Sequence, residues 1–140
     1  MDKKIKIDTK QYPIIVITPI EELNIEDIEI FSRELEGILA SGDEKFIIIS
    51  DNSYNVNLPV NVRVNLGKSL NYISGRFSTR ELAVFIVISS AFGRIMLSCI
   101  SLIARNNNLI VVSSFEEANT KAKAILENSK KVNIEENSKT

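Results

Sequence analysis

The chain has 140 residues, with 17 Lys and Arg against 18 Asp and Glu and no histidine. That length suits a single domain with a substantial core and argues against a multidomain arrangement. A formal charge of -1 creates no general field toward nucleic acid or anionic lipid, so neither is expected as a partner.

The remaining composition, 44% hydrophobic and 25% charged, is that of an ordinary soluble globule. A lone cysteine, Cys99, cannot form an internal disulfide, which fits a reducing cytoplasm. The absence of histidine removes Ser-His and Cys-His nucleophile pairs and leaves zinc only carboxylates, which structural zinc sites seldom use. No metal or cofactor is expected. The start, "MDKKIKID", alternates charge with isoleucine and lacks the apolar run of a secretory signal.

Taken in order, Ile5 and Ile7 alternate with charged residues as a half-exposed strand does. "KQYP" then turns the chain into "IIVIT", which predicts an N-terminal hairpin. Asn24 precedes "IEDIEIFSRELEGILASG", with Asp27 as a capping-box partner and Gly42 as the stop. Ile25, Ile28, Phe31, Leu35, Ile38 and Leu39 share one face of that helix. "KFIIIS" reads as a buried strand, ending on Asp51.

The segment "PVNVRVNLGKSLNYISG" fits two periods. Val60, Val62, Val64 and Leu66 alternate like a strand, whereas Val62, Leu66, Leu70 and Ile73 make a helical stripe. Pro59 as a start and Gly75 as a stop favour the helix. "ELAVFIVIS" follows as a central strand, "AFGRIMLSCISLIAR" as a helix and "NLIVVS" as the last strand. Ser114 with Glu117 forms a capping box for "FEEANTKAKAIL", whose Phe115, Ala118, Ala122 and Ile125 face inward. The domain is expected to span 1–128, with 129–140 a flexible polar tail. The order predicts an α/β fold: a mostly parallel, mixed sheet of about five strands with an N-terminal hairpin and about four helices.

The apolar stretch from Leu82 to Ala104 would catch a hydropathy window for a membrane span. Arg94 near its middle and the break at "SSAFG" favour a strand followed by a helix, so no span is expected. The chemistry-bearing residues are few. Asp51 ends a strand where α/β proteins gather ligands, and Ser89 could stand beside it as a strand-end hydroxyl. Neither the end of "IIVITPIEE" nor "IVVSS" supplies the acidic pair or lysine that a magnesium-dependent phosphoacceptor needs. "DNS" therefore reads as an Asx turn. Cys99 lies among Ile95, Met96 and Ile103 as a core thiol, and the paired glutamates occupy helix starts or solvent faces.

"ELAVFIVISSAFGRIMLSCISLIA" followed by "NLIVVSSFEEA" resembles the STAS/SEC14-like (SpoIIAA-like) domains of bacteria. These carry a strand, a small-residue turn ending in arginine, an apolar helix, a short strand and a hydroxyl cap before "eeA". Arg94 takes the arginine position, Ser114 the cap, and Glu116, Glu117 and Ala118 the signature. The resemblance implies a protein-binding module. In anti-sigma-factor antagonists of this type a serine in an Asp-Ser-Ser-Gly-like motif is phosphorylated; the corresponding stretch here is "DNSYNVNLPV", with Ser53 the nearest hydroxyl.

The expectation for function is a non-enzymatic, cytoplasmic interaction module, regulatory or scaffolding, binding a protein partner or a second copy of itself. Leu97, Ile100 and Ala104, with Arg94, form the expected interface on the helix from about 91 to 105, because its apolar arc exceeds what one sheet contact needs. Asp51, Asn52 and Ser53 form a candidate regulatory loop. The alternatives are a carrier of a small apolar ligand between sheet and helices and an enzyme built on Asp51, Ser53 and Ser89.

Overall fold

The structure is a computed structural model that describes residues 4–53, 58–88 and 108–138, the last six as backbone only. Five strands form one sheet in the order β1-β2-β3-β4-β5: β1 (Ile5–Gln11), β2 (Ile14–Pro19), β3 (Phe46–Asp51), β4 (Glu81–Val87) and β5 (Leu109–Val112). β1 runs antiparallel to β2 as the expected hairpin, and β2 through β5 are mutually parallel. Three helices are described: α1 (Ile25–Ala40), α2 (Val60–Arg76) and α3 (Phe115–Ser138). The helix expected from 91 to 105 lies outside the described residues.

Each parallel strand is laid down beside the one before it. Right-handed crossovers that all step in the same direction put their helices on the same face. α1 and α2 accordingly share one face, packed on each other and joined by an ion pair from Arg76 to Glu36. α3, which follows the last strand, packs on β3, β4 and β5 from the other face.

Covering on both sides explains why "FIIIS" is apolar at consecutive positions. Side chains alternate along a strand, so Phe46 and Ile48 join the α1/α2 core while Ile47 and Ile49 join the α3 core. All four are fully buried. Each such side chain stabilises the fold by roughly 1.5–3 kcal/mol relative to exposure. The two cores differ in texture. Leu35, Leu39, Leu66, Leu70 and Ile73 fill the first, whereas α3 brings Ala118 and Ala122 against Phe85, so that helix sits close to the sheet.

The "PVNVRVNLGKSLNYISG" segment is a helix, and Val62, Leu66, Leu70 and Ile73 are its buried stripe. Two expectations need correction. Ile25 is exposed, because it sits in the first turn of α1 at the rim of the sheet, leaving Ile28, Phe31, Leu35 and Leu39 as the buried face. Gly75 does not stop α2. The helix runs to Arg76, and the Phe77 amide donates to Ile73 O; Gly75 has no left-handed backbone to break it. The stretch after 128 continues α3 to Ser138. "NSKKVNIEENS" contains no proline or glycine, so nothing in the backbone chemistry ends the helix there.

The strand half of the apolar stretch at 82–104 is β4, its inner residues Ala83 to Val87 buried. Among the described residues no helix is long and apolar enough to cross a membrane.

Candidate functional site

The carboxyl ends of β2 to β5 and the amino ends of α1, α2 and α3 meet on one side of the molecule. Parallel α/β sheets gather ligands at this edge, because loops and helix N-termini converge there. Asp51 is the last residue of β3. Its Oδ1 accepts from the Ser53 amide at 3.1 Å and from the Ser53 hydroxyl at 2.6 Å. This is the Asx turn expected from "DNS", and it occupies Ser53's hydroxyl as a donor to the carboxylate. Asn52 extends the β3/β4 ladder, its amide donating to Val87 O at 3.2 Å. The Asn52 side-chain amide reaches back to Ser50 O and Ser50 Oγ, both at 3.3 Å, while its Oδ1 is buried without a partner. The three candidate loop residues are thus brought together as a self-bonded turn at the tip of a central strand.

Three helix N-termini face this edge, and they are finished differently. At α1 the Asp27 amide donates to Asn24 Oδ1 at 2.9 Å and the Asn24 amide to Asp27 Oδ2 at 2.8 Å. Lys4 adds an ion pair to Asp27 at 3.5 Å. At α3 the Glu117 amide donates to Ser114 Oγ at 3.1 Å, and the Ser113 amide donates to Glu117 Oε2 at 3.2 Å. The Lys121 ammonium, bonded to Glu117 at 3.1 Å, and the Ser113 amide hold the Glu117 carboxyl below its ordinary value. Both helices thereby neutralise their own exposed amides and positive dipole ends.

α2 is the exception. Its N-cap is Pro59, which makes no side-chain cap bond, and its first turn holds no acidic residue. Arg63, one turn in, is only 9% exposed, and its Nε and Nη1 make no hydrogen bond. No described acidic side chain forms an ion pair with it. Desolvating a cation without a partner is costly.

Sequence reading passed over Arg63. A helical projection would have found it: at about 100° per residue, Arg63 lies within about 20° of Leu70, and Leu70 is buried. The first turn of α2 also exposes an apolar side chain, Val60, at 59%.

The opposite, amino-terminal edge of the parallel strands is held by Arg80. Its Nε donates to Glu44 O and its Nη1 to Leu39 O, both at 2.8 Å. The guanidinium also lies over the rings of Phe46 and Phe77, with centroid distances of 5.6 and 5.5 Å. Buried Glu81 is bonded by the Ser74 hydroxyl at 2.8 Å.

Two open clefts are lined by described residues. One of about 410 Å³ lies between Tyr12, Ile38, Gly42 and Glu44, and one of about 390 Å³ lies between Lys4, Glu21, Glu22 and Asn24. The expected interface residues Arg94, Leu97, Ile100 and Ala104, together with Ser89 and Cys99, lie outside the described residues. No family model, curated protein or solved structure matches the chain.

Proposed function

We propose that this chain is a non-enzymatic protein–protein interaction module of STAS/SpoIIAA type, regulatory or scaffolding in a bacterial cytoplasm. Its partner surface is the carboxyl edge of the sheet, where the turn at Asp51 to Ser53 leads toward the start of α2. One observation carries this reading: Val60, an aliphatic side chain at a helix start, stands 59% exposed on the same edge as the polar turn. An apolar anchor beside a polar rim is the anatomy of a protein-binding patch. The Asp51 carboxylate on the same edge accepts from the Ser53 amide and hydroxyl, and among the described residues no second titratable group is bonded to it, which suits display better than chemistry. The helix expected from 91 to 105 contributes Arg94, Leu97, Ile100 and Ala104 to the same partner or to a second copy of the chain.

Affinity capture from the native cell with the wild type and with Val60→Asp tests the reading, with light scattering of both to report self-association. The charged variant should keep its circular dichroism and melting temperature, because Val60 has little burial to lose. It should also lose at least tenfold in captured partner or in dimer affinity. Equal capture by both forms, or a monomeric wild type that enriches nothing over an unrelated bait, refutes it. The pair Leu97→Glu and Ile100→Lys should likewise give a folded species of smaller mass.

A further inference from the structure

We propose that β5 is the docking edge for a second copy of this chain, the two β5 strands pairing antiparallel across a two-fold axis to join two five-stranded sheets into one. This surface is the lateral edge of the sheet, apart from the carboxyl edge of the interaction reading above and from the helix expected at 91–105.

β1 and β5 are the outer strands of the sheet, and an outer strand offers a row of amides and carbonyls to any further strand. β1 is guarded. Lys6, Asp8 and Lys10 alternate along it, and its pairing with β2 shifts register between Asp8 and Gln11; charge and irregularity both discourage addition. β5 has neither device. "NLIVVSS", Asn108 to Ser114, contains no charged residue. Its register with β4 is unbroken, and Val111 within it is 46% exposed.

Backbone alternation decides which groups are on offer. Asn108 O accepts from the Val84 amide at 3.0 Å and Val112 O from the Ile88 amide at 2.9 Å, so Asn108, Ile110 and Val112 face β4. Leu109 and Val111 therefore direct their amides and carbonyls away from the sheet. A two-fold axis at Ile110 sets Leu109 opposite Val111 of the partner subunit, and each such pair exchanges both its bonds. A strand that pairs with its own copy meets its own charges. β5 brings none, whereas the same operation about Asp8 in β1 would set Lys6 against Lys10 of the partner subunit. The contact is short, so the dimer is weak and its mass depends on concentration.

Sedimentation velocity over a concentration series, with amide hydrogen exchange at its two ends, tests the pairing. The wild type should pass from monomer to dimer. The Leu109 and Val111 amides should exchange fast when dilute and about tenfold more slowly when concentrated, while Ile110 and Val112 stay slow throughout. Val111→Lys, a change at an exposed side chain, should stay monomeric with an unchanged melting temperature. Val111→Pro removes only the outward N–H and should behave in the same way. The inference is overturned if the wild type remains monomeric, or if Val111→Lys dimerises as the wild type does. Equal protection of the Val111 amide at both concentrations would mean that the chain covers its own edge, and overturns it too. Loss of the dimer in Leu97→Glu with Ile100→Lys but not in Val111→Lys would put self-association on the helix of the interaction reading and refute pairing through β5.

Discussion

Arg80 and Arg63 serve opposite ends of the same sheet and have opposite surroundings. Arg80 ties the last turn of α1 to the loop before β3 through two carbonyls and lies over two rings. Arg63 is the more deeply buried of the two and has no bond from its Nε or Nη1. The difference separates a cation that holds the fold together from one that the fold leaves uncompensated. A charge-assisted bond stabilises by about 1.5–3 kcal/mol, whereas an unpaired buried charge destabilises. The amino edge is therefore a structural clamp, and the carboxyl edge carries the polar groups still open to a ligand or partner.

The clamp can be broken most directly at Arg80. Arg80→Ala loses two carbonyl bonds and both ring contacts, and should destabilise by about 3 kcal/mol in urea unfolding. Arg80→Lys keeps the charge without the planar fork and should recover less than half of that. If the alanine variant costs less than 1 kcal/mol, the clamp is ornamental and the contrast with Arg63 collapses.

Gly42 gives the next largest effect at the same edge. A Cβ there would stand 2.6 Å from Tyr12 Oη, so Gly42→Ala forces the ring aside and should cost about 1–2 kcal/mol. Adding Tyr12→Phe removes the offending oxygen and should restore most of the loss. A double variant no more stable than the single one would show that the edge yields easily.

At the other edge the sign should reverse. Arg63→Met should be neutral or stabilising by about 1 kcal/mol, because it removes a charge whose Nε and Nη1 are unbonded and keeps the bulk. A loss above 1 kcal/mol would mean that Arg63 makes a stabilising interaction in the free protein.

The smallest effect concerns the capped helix end that contrasts with α2. Glu117 has a folded pKa below its ordinary 4.5. Its contribution is therefore present above that value and lost as pH falls through the folded pKa. Between pH 6 and pH 3 the wild type should lose slightly more melting temperature than Glu117→Gln. Identical pH profiles would remove the closed cap at α3 from the comparison.

Much of the architecture was legible in the chain because it rests on short-range rules. Asn24 with Asp27 declares its helix start by reciprocal bonds three residues apart, and at α3 Ser114 accepts from the Glu117 amide while the Glu117 carboxylate accepts from the Ser113 amide. "FIIIS" declares a strand covered on both faces by its unbroken apolar run, and "DNS" declares its turn by a carboxylate two residues from the amide it binds. Helix won over strand at Val60 to Arg76 because its apolar residues recur at helical spacing behind Pro59.

What the sequence could not show depends on distance through space. Arg80 stands 36 and 41 residues from the carbonyls it binds, and no local pattern announces that contact. Arg63 carries no local signal of its own, and it is the packing of α2 that makes its flank dry. Burial converts a side chain from solvated to uncompensated, and burial belongs to the assembled layers. The sequence by itself determined the five strands, the starts of the three described helices and their order, since these follow from patterns within a few residues. Only the tertiary structure decided which cation finds carbonyl partners, Arg80 through Nε and Nη1 though not Nη2, and which leaves Nε and Nη1 unbonded, Arg63, because desolvation and long-range partners exist only once sheet and helices have packed.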